Sequence, residues 1–247
     1  GQIEPRVLFA VTSYGYAGKE RDRRAALDDM LAELPSVEHV VLVSKDMLDW
    51  EPASSAKCTR WESLLATPAP SRDAFSFEAL PTSHPLWIVF TSGTSGRPKA
   101  IVHSHGGALL GVMKDLGFHI EVTGQSTLFF YCSTNWIVWN LMLGGLSLGA
   151  CVVLYDGSPF HPDIGRLWSI AAQSGATVLG TSPGFITKMI DRDYVPLDHN
   201  PLETLETVVL AGAIAEDAVC EWLAAALPQR TRIISQAGST EICGGYA

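Results

Sequence analysis

Positive charge is scarce in this chain: 17 Lys and Arg stand against 26 Asp and Glu, for a formal net charge of −9. A general nucleic-acid binder must present clustered cations to phosphates, so that class is excluded. A local anion site survives the balance, because a few backbone N–H groups and one lysine can oppose a global charge. Cysteine is sparse too. Cys58, Cys132, Cys151, Cys220 and Cys243 are odd in number, no pair is spaced C-x-x-C, and three lie in apolar stretches that read as core. That pattern suits reduced, cytoplasmic thiols better than a disulfide frame or a zinc site. The seven histidines form no metal-ligand motif. His103 and His105 sit two apart on an expected strand, where alternate side chains share a face. A metal pair is one reading; polar residues at a strand end beside a ligand loop is the better one.

The opening Gly1-Gln2-Ile3-Glu4-Pro5 has no basic segment followed by an apolar one, so no signal peptide is read. The most membrane-like stretch, Ile137 to Tyr155, holds Asn140 as its one strongly polar side chain. Gly144, Gly145 and Gly149 interrupt it before the β-branched run after Ala150, so a buried helix, a glycine turn and a buried strand explain it, and no membrane span is expected. There is no internal repeat and no low-complexity tract.

With 47% hydrophobic residues over 247 positions, the chain has the composition to bury a substantial core. Short apolar runs alternate with amphipathic segments, which predicts an α/β fold with mixed and parallel sheets flanked by helices. Strands are expected at 6–11, 39–43, 86–90, 100–102, 127–131, 151–154, 176–179, 207–211 and 230–235. Helices are expected at 20–34, 107–118, 135–144, 164–174, 184–190 and 216–226. Segment 51–85, with five prolines, reads as a loop-rich crossing and a site of subdivision.

The apolar strand 86–90 feeds into Thr91-Ser92-Gly93-Thr94-Ser95-Gly96-Arg97-Pro98-Lys99. Gly93 and Gly96 let the backbone approach an anion closely, four hydroxyls lie within five residues, and Lys99 adds a point charge, so the loop can wrap a polyphosphate. It is not a Walker A loop, because its glycines are three apart and a strand, not a helix, follows. The competing reading is a Ser/Gly-rich surface hairpin. Gly180-Thr181-Ser182-Pro183-Gly184 matches the nucleophile elbow of hydrolases, but Pro183 lacks the N–H that the oxyanion hole needs, so a hydrolase is rejected. At the far end, Gln236-Ala237-Gly238-Ser239-Thr240-Glu241 places a hydroxyl beside a carboxylate after a strand, an arrangement suited to a Mg²⁺-bound nucleotide.

Together, the loop from Thr91 to Lys99 and the motif Gly238-Ser239-Thr240-Glu241 resemble the acyl-adenylate-forming, AMP-binding superfamily. The stretches Tyr14 to Glu20, Pro98 to Gly107, Trp136 to Asn140 and Val153 to Pro159 are similar to acetoacetyl-CoA synthetases, a likeness spread from about Val7 to Gly245. The resemblance implies part of that fold's large N-terminal domain, over 1–247. It also implies ATP-dependent activation of a short-chain acid, expected to be acetoacetate, to an acyl-adenylate and then a coenzyme A thioester.

Thr91, Ser92, Gly93, Thr94, Ser95, Gly96 and Lys99 would hold the β- and γ-phosphates. Thr240 would touch the α-phosphate and Glu241 would bind Mg²⁺. Gly212, Ala213 and Ile214 would contact adenine, with Gln236, Ala237, Gly238 and Ser239 over its other face. Trp136, Ile137 and Val138 would wall the acyl pocket. In acetyl-specific relatives a Trp matches Gly238, so glycine here is expected to leave room for a longer acid. The family's ribose-binding Asp, hinge and C-terminal domain with its catalytic Lys have no counterpart here, so the chain is expected to be a central piece of a longer protein. Two alternatives stay open: activation of another short-chain acid, or a nucleotide-binding module without turnover.

Overall fold

The computed structural model describes residues 1–43, 50–91 and 96–246. The chain divides into two compact units, Gly1–Ala79 and Leu80–Ala247.

In the first unit, β1 (Val7–Ala10) is followed by the hairpin β2 (Ser13–Tyr16) and β3 (Lys19–Asp22), then by α1 (Arg24–Ala32), β4 (His39–Leu42), β5 (Lys57–Arg60) and α2 (Trp61–Leu65). Strands β1, β4 and β5 form a parallel sheet with β4 in the middle. The expected helix 20–34 is corrected at its start. Ala17 and Gly18 both adopt positive φ, 52° and 74°, the signature of a tight two-residue hairpin turn. The chain therefore doubles back through β3, and the helix begins only where the Asp22 carboxylate accepts from the Arg24 amide at 2.9 Å. Segment 51–85 also holds more structure than expected, namely β5 and α2.

The second unit opens with the antiparallel hairpin β6 (Pro85–Thr91) and β7 (Lys99–Ser104). Next come α3 (His105–Val112), a π-helical turn (Met113–His119), β8 (Thr127–Phe130) and α4 (Ile137–Gly144). The chain continues through β9 (Cys151–Val152), α5 (Arg166–Ser174), β10 (Val178–Thr181), α6 (Pro183–Ile190), β11 (Thr207–Leu210), α7 (Asp217–Ala226) and β12 (Arg232–Ser235), and ends with the small hairpin β13 (Gly238–Ser239) and β14 (Gly244–Gly245). The expected strand 151–154 is thus only two residues long, and the expected helix 107–118 starts two residues earlier and changes to π geometry.

The main sheet has the order β12-β11-β10-β8-β9 and every pairing in it is parallel. Parallel strands need crossover helices, and those helices cover both faces. On one face Phe129, Leu179, Val208 and Leu210 pack with Trp168, Phe185, Ile186, Met189 and Leu223 of α5, α6 and α7. On the other, Leu128, Phe130, Val178 and Val209 pack with Ala108, Val112, Leu116, Leu141 and Met142. The alternation along each strand follows from the two-residue period of side chains. Among the described residues no helix is long and apolar enough to cross a membrane.

The elbow-like segment has a structural role. Ser182 caps α6, its hydroxyl accepting from the Phe185 amide at 3.2 Å, with Pro183 in the first turn. The cysteines are free; Cys243 is buried, Cys58, Cys132 and Cys220 are half-buried against the apolar clusters, and Cys151, in the apolar run after Ala150, is exposed.

Candidate functional site

In doubly wound sheets, ligands bind beyond the carboxyl ends of the strands, where the strand order reverses. Here the chain runs from β8 outward to β9, then returns to the other side of β8 with β10 and continues through β11 to β12. The reversal lies between β8 and β10. The carboxyl ends stay in register there: Phe130 pairs with Gly180, Thr181 with Leu210, and Leu210 with Ser235. Amides just past the strands extend the ladder, Tyr131 to the Gly180 carbonyl at 2.9 Å and Gln236 to that of Leu210 at 2.8 Å.

Three of the four predicted site stretches leave this edge. Trp136 to Val138 follow β8, Gly212 to Ile214 follow β11, and Gln236 to Glu241 follow β12. Trp136 and Gly212 are brought together: a Cβ on Gly212 would stand 3.6 Å from the indole ring. Gly212 has φ of 91°, a conformation costly for any residue with a side chain. Trp136 is 55% exposed and Ile214 89%, so both present apolar surface at the edge. Ile137 and Val138 begin α4 and are half-buried; Ala213 and Ala237 are exposed.

The fourth stretch, the expected phosphate loop, lies between β6 and β7. Ser92, Gly93, Thr94 and Ser95 lie outside the described residues. Thr91 ends β6 and pairs with Lys99, which opens β7 and is exposed; Gly96 has φ of 96°. The strand before the loop is not the buried element expected, since Leu86, Ile88 and Phe90 are each 40% exposed and only its other face is half-covered. A hairpin with one uncovered face is what an antiparallel pair permits.

His103 makes the link between β7 and the segment 236–241. Its Nε2 lies 2.7 Å from the Thr240 carbonyl oxygen, and since a carbonyl only accepts, Nε2 is the donor. Lys99 stands four residues earlier, about 13 Å back along the strand. The expectation that His103 and His105 share a strand face is corrected: His105 begins α3, its ring 5.9 Å from that of His84. Among the described residues no group of three or more His, Cys, Asp and Glu gathers to hold a metal. Glu241 is a single exposed carboxylate beside half-buried Thr240, a donor set that fits Mg²⁺ only when substrate phosphates complete its shell.

Gly238 behaves differently from the expectation attached to it. A Cβ there would meet the Gly244 carbonyl oxygen at 2.6 Å, so the antiparallel pairing of β13 with β14 already fills the space its side chain would take. Two further residues, Lys114 and Asp115, hold the end of this hairpin. Asp115, buried, accepts from the Gly245 amide at 2.6 Å, and Lys114 donates to the Gly245 carbonyl while pairing with Asp115 at 3.0 Å. The available signal was a carboxylate in the apolar run between Val112 and Leu116. Cys243, in the same turn, has its thiol pushed up to about 11 by burial, with the Asp115 charge adding to the effect. Cys132, shortly after β8, is likewise pushed up to about 11 by burial. A separate groove of about 540 Å³, lined in part by Leu197, Leu202, Pro228 and Arg230, flanks the amino ends of β11 and β12 and contains no predicted site residue.

Comparison with known proteins finds relatives along the whole chain. It is similar to the acetoacetyl-CoA synthetases of Danio rerio, 32% identical over 245 residues, and Mus musculus, 33% over 245 residues. Each match covers 98% of this chain, and the chain spans 36% of the length of these relatives. A solved acetoacetyl-CoA synthetase from Streptomyces lividans superposes with a TM-score of 0.89 at 35% identity, covering 100% of this chain and 37% of that one. The family described as AMP-binding enzyme matches residues 1–247 from end to end, and the chain belongs to that family.

Proposed function

We propose that the full-length gene product is an acid–thiol ligase that activates acetoacetate with ATP and transfers it to coenzyme A, and that this chain supplies part of the nucleotide and acid sites. In the first step a carboxylate oxygen attacks the α-phosphorus of ATP, the bond to the β-phosphate oxygen breaks, and pyrophosphate leaves. In the second, the coenzyme A sulfur attacks the acyl carbon, AMP leaves with the bonding pair, and the thiol proton is released. The single observation that carries the reading is that Trp136 and Gly212 stand side by side beyond the carboxyl ends of β8 and β11, which supports an apolar wall for the acid beside a backbone free of side chain for a planar base. The names and coverage of the relatives support the substrate.

Lys99 and the hydroxyls of Thr91 to Ser95 would hold the terminal phosphates, Thr240 the α-phosphate, and Gly212 to Ile214 with Gln236 to Ser239 the adenine. Glu241 would hold Mg²⁺, which neutralises charge on the phosphates when it is bound. Donors already aimed at the phosphates spare reorganisation as charge develops, which is where rate is gained.

Pyrophosphate exchange into ATP tests this on the full-length product. Exchange is expected with acetoacetate and not with acetate or butyrate. Equal exchange with all three refutes the substrate, and none with any acid points to a binding module. Lys99→Ala is expected to weaken ATP binding by roughly tenfold or more, from loss of a charge-assisted hydrogen bond; unchanged affinity removes the loop from the mechanism. A second reading, activation of another short-chain acid, is favoured by one observation: the side-chain direction of Gly238 is occupied by Gly244, so acid length is not set by empty space at that atom.

A further inference from the structure

We propose that His103, Lys114 and Asp115 form a clamp that positions the Gly238–Gly245 hairpin, and with it Thr240 and Glu241, for the nucleotide; this rests on the nucleotide-binding reading above. The hairpin holds itself only weakly. Its ladder contains two residue pairs, Gly238 with Gly245 and Ser239 with Gly244, extended by the Tyr246 amide on the Ala237 carbonyl at 2.7 Å and by the Ser239 and Tyr246 hydroxyls 3.2 Å apart, and ribbons of that size are marginal in isolation. It is also fastened from outside, at both ends. His103 grips the Thr240 carbonyl at the start of the turn, and Asp115 and Lys114 grip the amide and carbonyl of Gly245 at its close.

Asp115 is an expensive residue for packing alone. It is 1% exposed, beside the apolar residues Val112, Leu116 and Cys243, where a hydrophobic side chain of similar volume would serve the core at least as well. Among the described residues its carboxylate accepts from the Gly245 amide and pairs with the Lys114 ammonium, so its charge holds that backbone. The approach is close enough to dictate composition. A Cβ on Gly244 would stand 2.2 Å from Asp115 Oδ2, and one on Gly111 would stand 2.8 Å from the Cys243 carbonyl oxygen. Lys114 and Asp115 occupy the π-helical turn after α3, a departure from regular helix of the kind found where side chains are re-aimed for function. The other anchor, His103, lies on the strand that leaves the phosphate loop, so the same bond ties the loop's exit strand to the turn carrying Glu241. None of the three anchors needs to touch the nucleotide; they are positioning residues.

The test uses the full-length gene product and two independent readouts, hydrogen exchange of the 236–246 segment and the KM values for MgATP and for the acid. Asp115→Asn keeps the shape and removes the charge. Faster exchange confined to that segment is expected, with KM for MgATP raised about tenfold or more by displacement of Thr240 and Glu241. KM for the acid and Tm should move little. His103→Ala should do the same, and His103→Gln, which restores a donor at similar reach, should recover most of the loss. If Asp115→Asn does not fold, Lys114→Gln, at a half-exposed position, carries the test with the same direction and smaller size. Unchanged exchange and unchanged KM for MgATP in the folded variants overturn the clamp. So do equal rises in both KM values with a lower Tm, the mark of a merely structural role. If the unmutated protein shows no acid-dependent exchange of pyrophosphate, the nucleotide reading fails, while hydrogen exchange still decides whether the three residues hold the hairpin.

Discussion

Gly238→Ala separates two reasons for the missing side chain, room for a longer acid or room for the hairpin's own backbone. The added Cβ would stand 2.6 Å from the Gly244 carbonyl oxygen and 3.3 Å from the Gly244 carbonyl carbon and the Gly245 Cα. Carbon–oxygen contacts settle near 3.3 Å, so the carbonyl must retreat by about 0.7 Å. The atom in the way is backbone, and the next residue is held by Asp115 at 2.6 Å, so the retreat lengthens a buried hydrogen bond instead of rotating a side chain. Overpacking of this kind costs about 1–3 kcal/mol. A shift of that size in the turn bearing Thr240 and Glu241 should also raise KM for MgATP, by roughly tenfold to a hundredfold. The assay pairs thermal unfolding with pyrophosphate exchange over acids of increasing length. A lower Tm and weaker MgATP use, equal for every acid, are expected. A variant with unchanged Tm and MgATP KM that merely prefers shorter acids would refute the backbone account and restore the pocket one.

Trp168 is fully buried among α5, α6 and the sheet, so Trp168→Ala should destabilise by about 3–5 kcal/mol in chemical denaturation. Its indole N–H has no partner among the described residues, so Trp168→Phe should cost distinctly less; equal costs would show that the N–H is satisfied. Thr181→Val should be neutral or stabilising, because the buried Thr181 hydroxyl also has no partner among the described residues, and a clear loss of stability would reveal one. Iodoacetamide near pH 8 should label exposed Cys151 well before Cys132 and Cys243, followed by peptide mass mapping. The raised thiols also set a pH window. Their folded-state pKa lies above the ordinary 9, so the stability they contribute is whole below about pH 9 and lost as pH rises toward about 11. Chemical denaturation across that range should show the decline, and Cys243→Ser should flatten it.

Much of the second unit was legible because its strands are buried on both faces. Runs such as Thr127 to Phe130 and Thr207 to Leu210 are continuous in apolar and β-branched residues, and the structure ends them within a residue of the expected bounds. The helix expected from 184 begins one residue earlier, at Pro183, where Ser182 caps it. The first unit was harder to read. Ala17-Gly18 carries only half of the usual signal for a turn with two positive φ values, so β2 went unread and β3 was taken into the start of an expected helix. Strand β5 and helix α2 are short and lie among prolines, where periodicity has too few residues to register.

For the site, the sequence by itself determined which short stretches have the chemistry to suit each kind of ligand group. Glycines with hydroxyls and a lysine suit phosphates, a threonine beside a glutamate suits a metal-bound nucleotide, and aromatic residues suit an apolar wall, because such chemistry is local to a few positions. Only the tertiary structure decided which of these stretches meet. That Trp136 faces Gly212, that His103 holds the Thr240 carbonyl 137 positions away, and that Asp115 grips Gly245 across 130 positions all depend on the path of the chain between them. The meaning of Gly238 changed for the same reason. Its neighbour in space, Gly244, is brought there by a hairpin too short to leave a periodic trace, and the contact that forbids a side chain is made by backbone, which every residue carries alike.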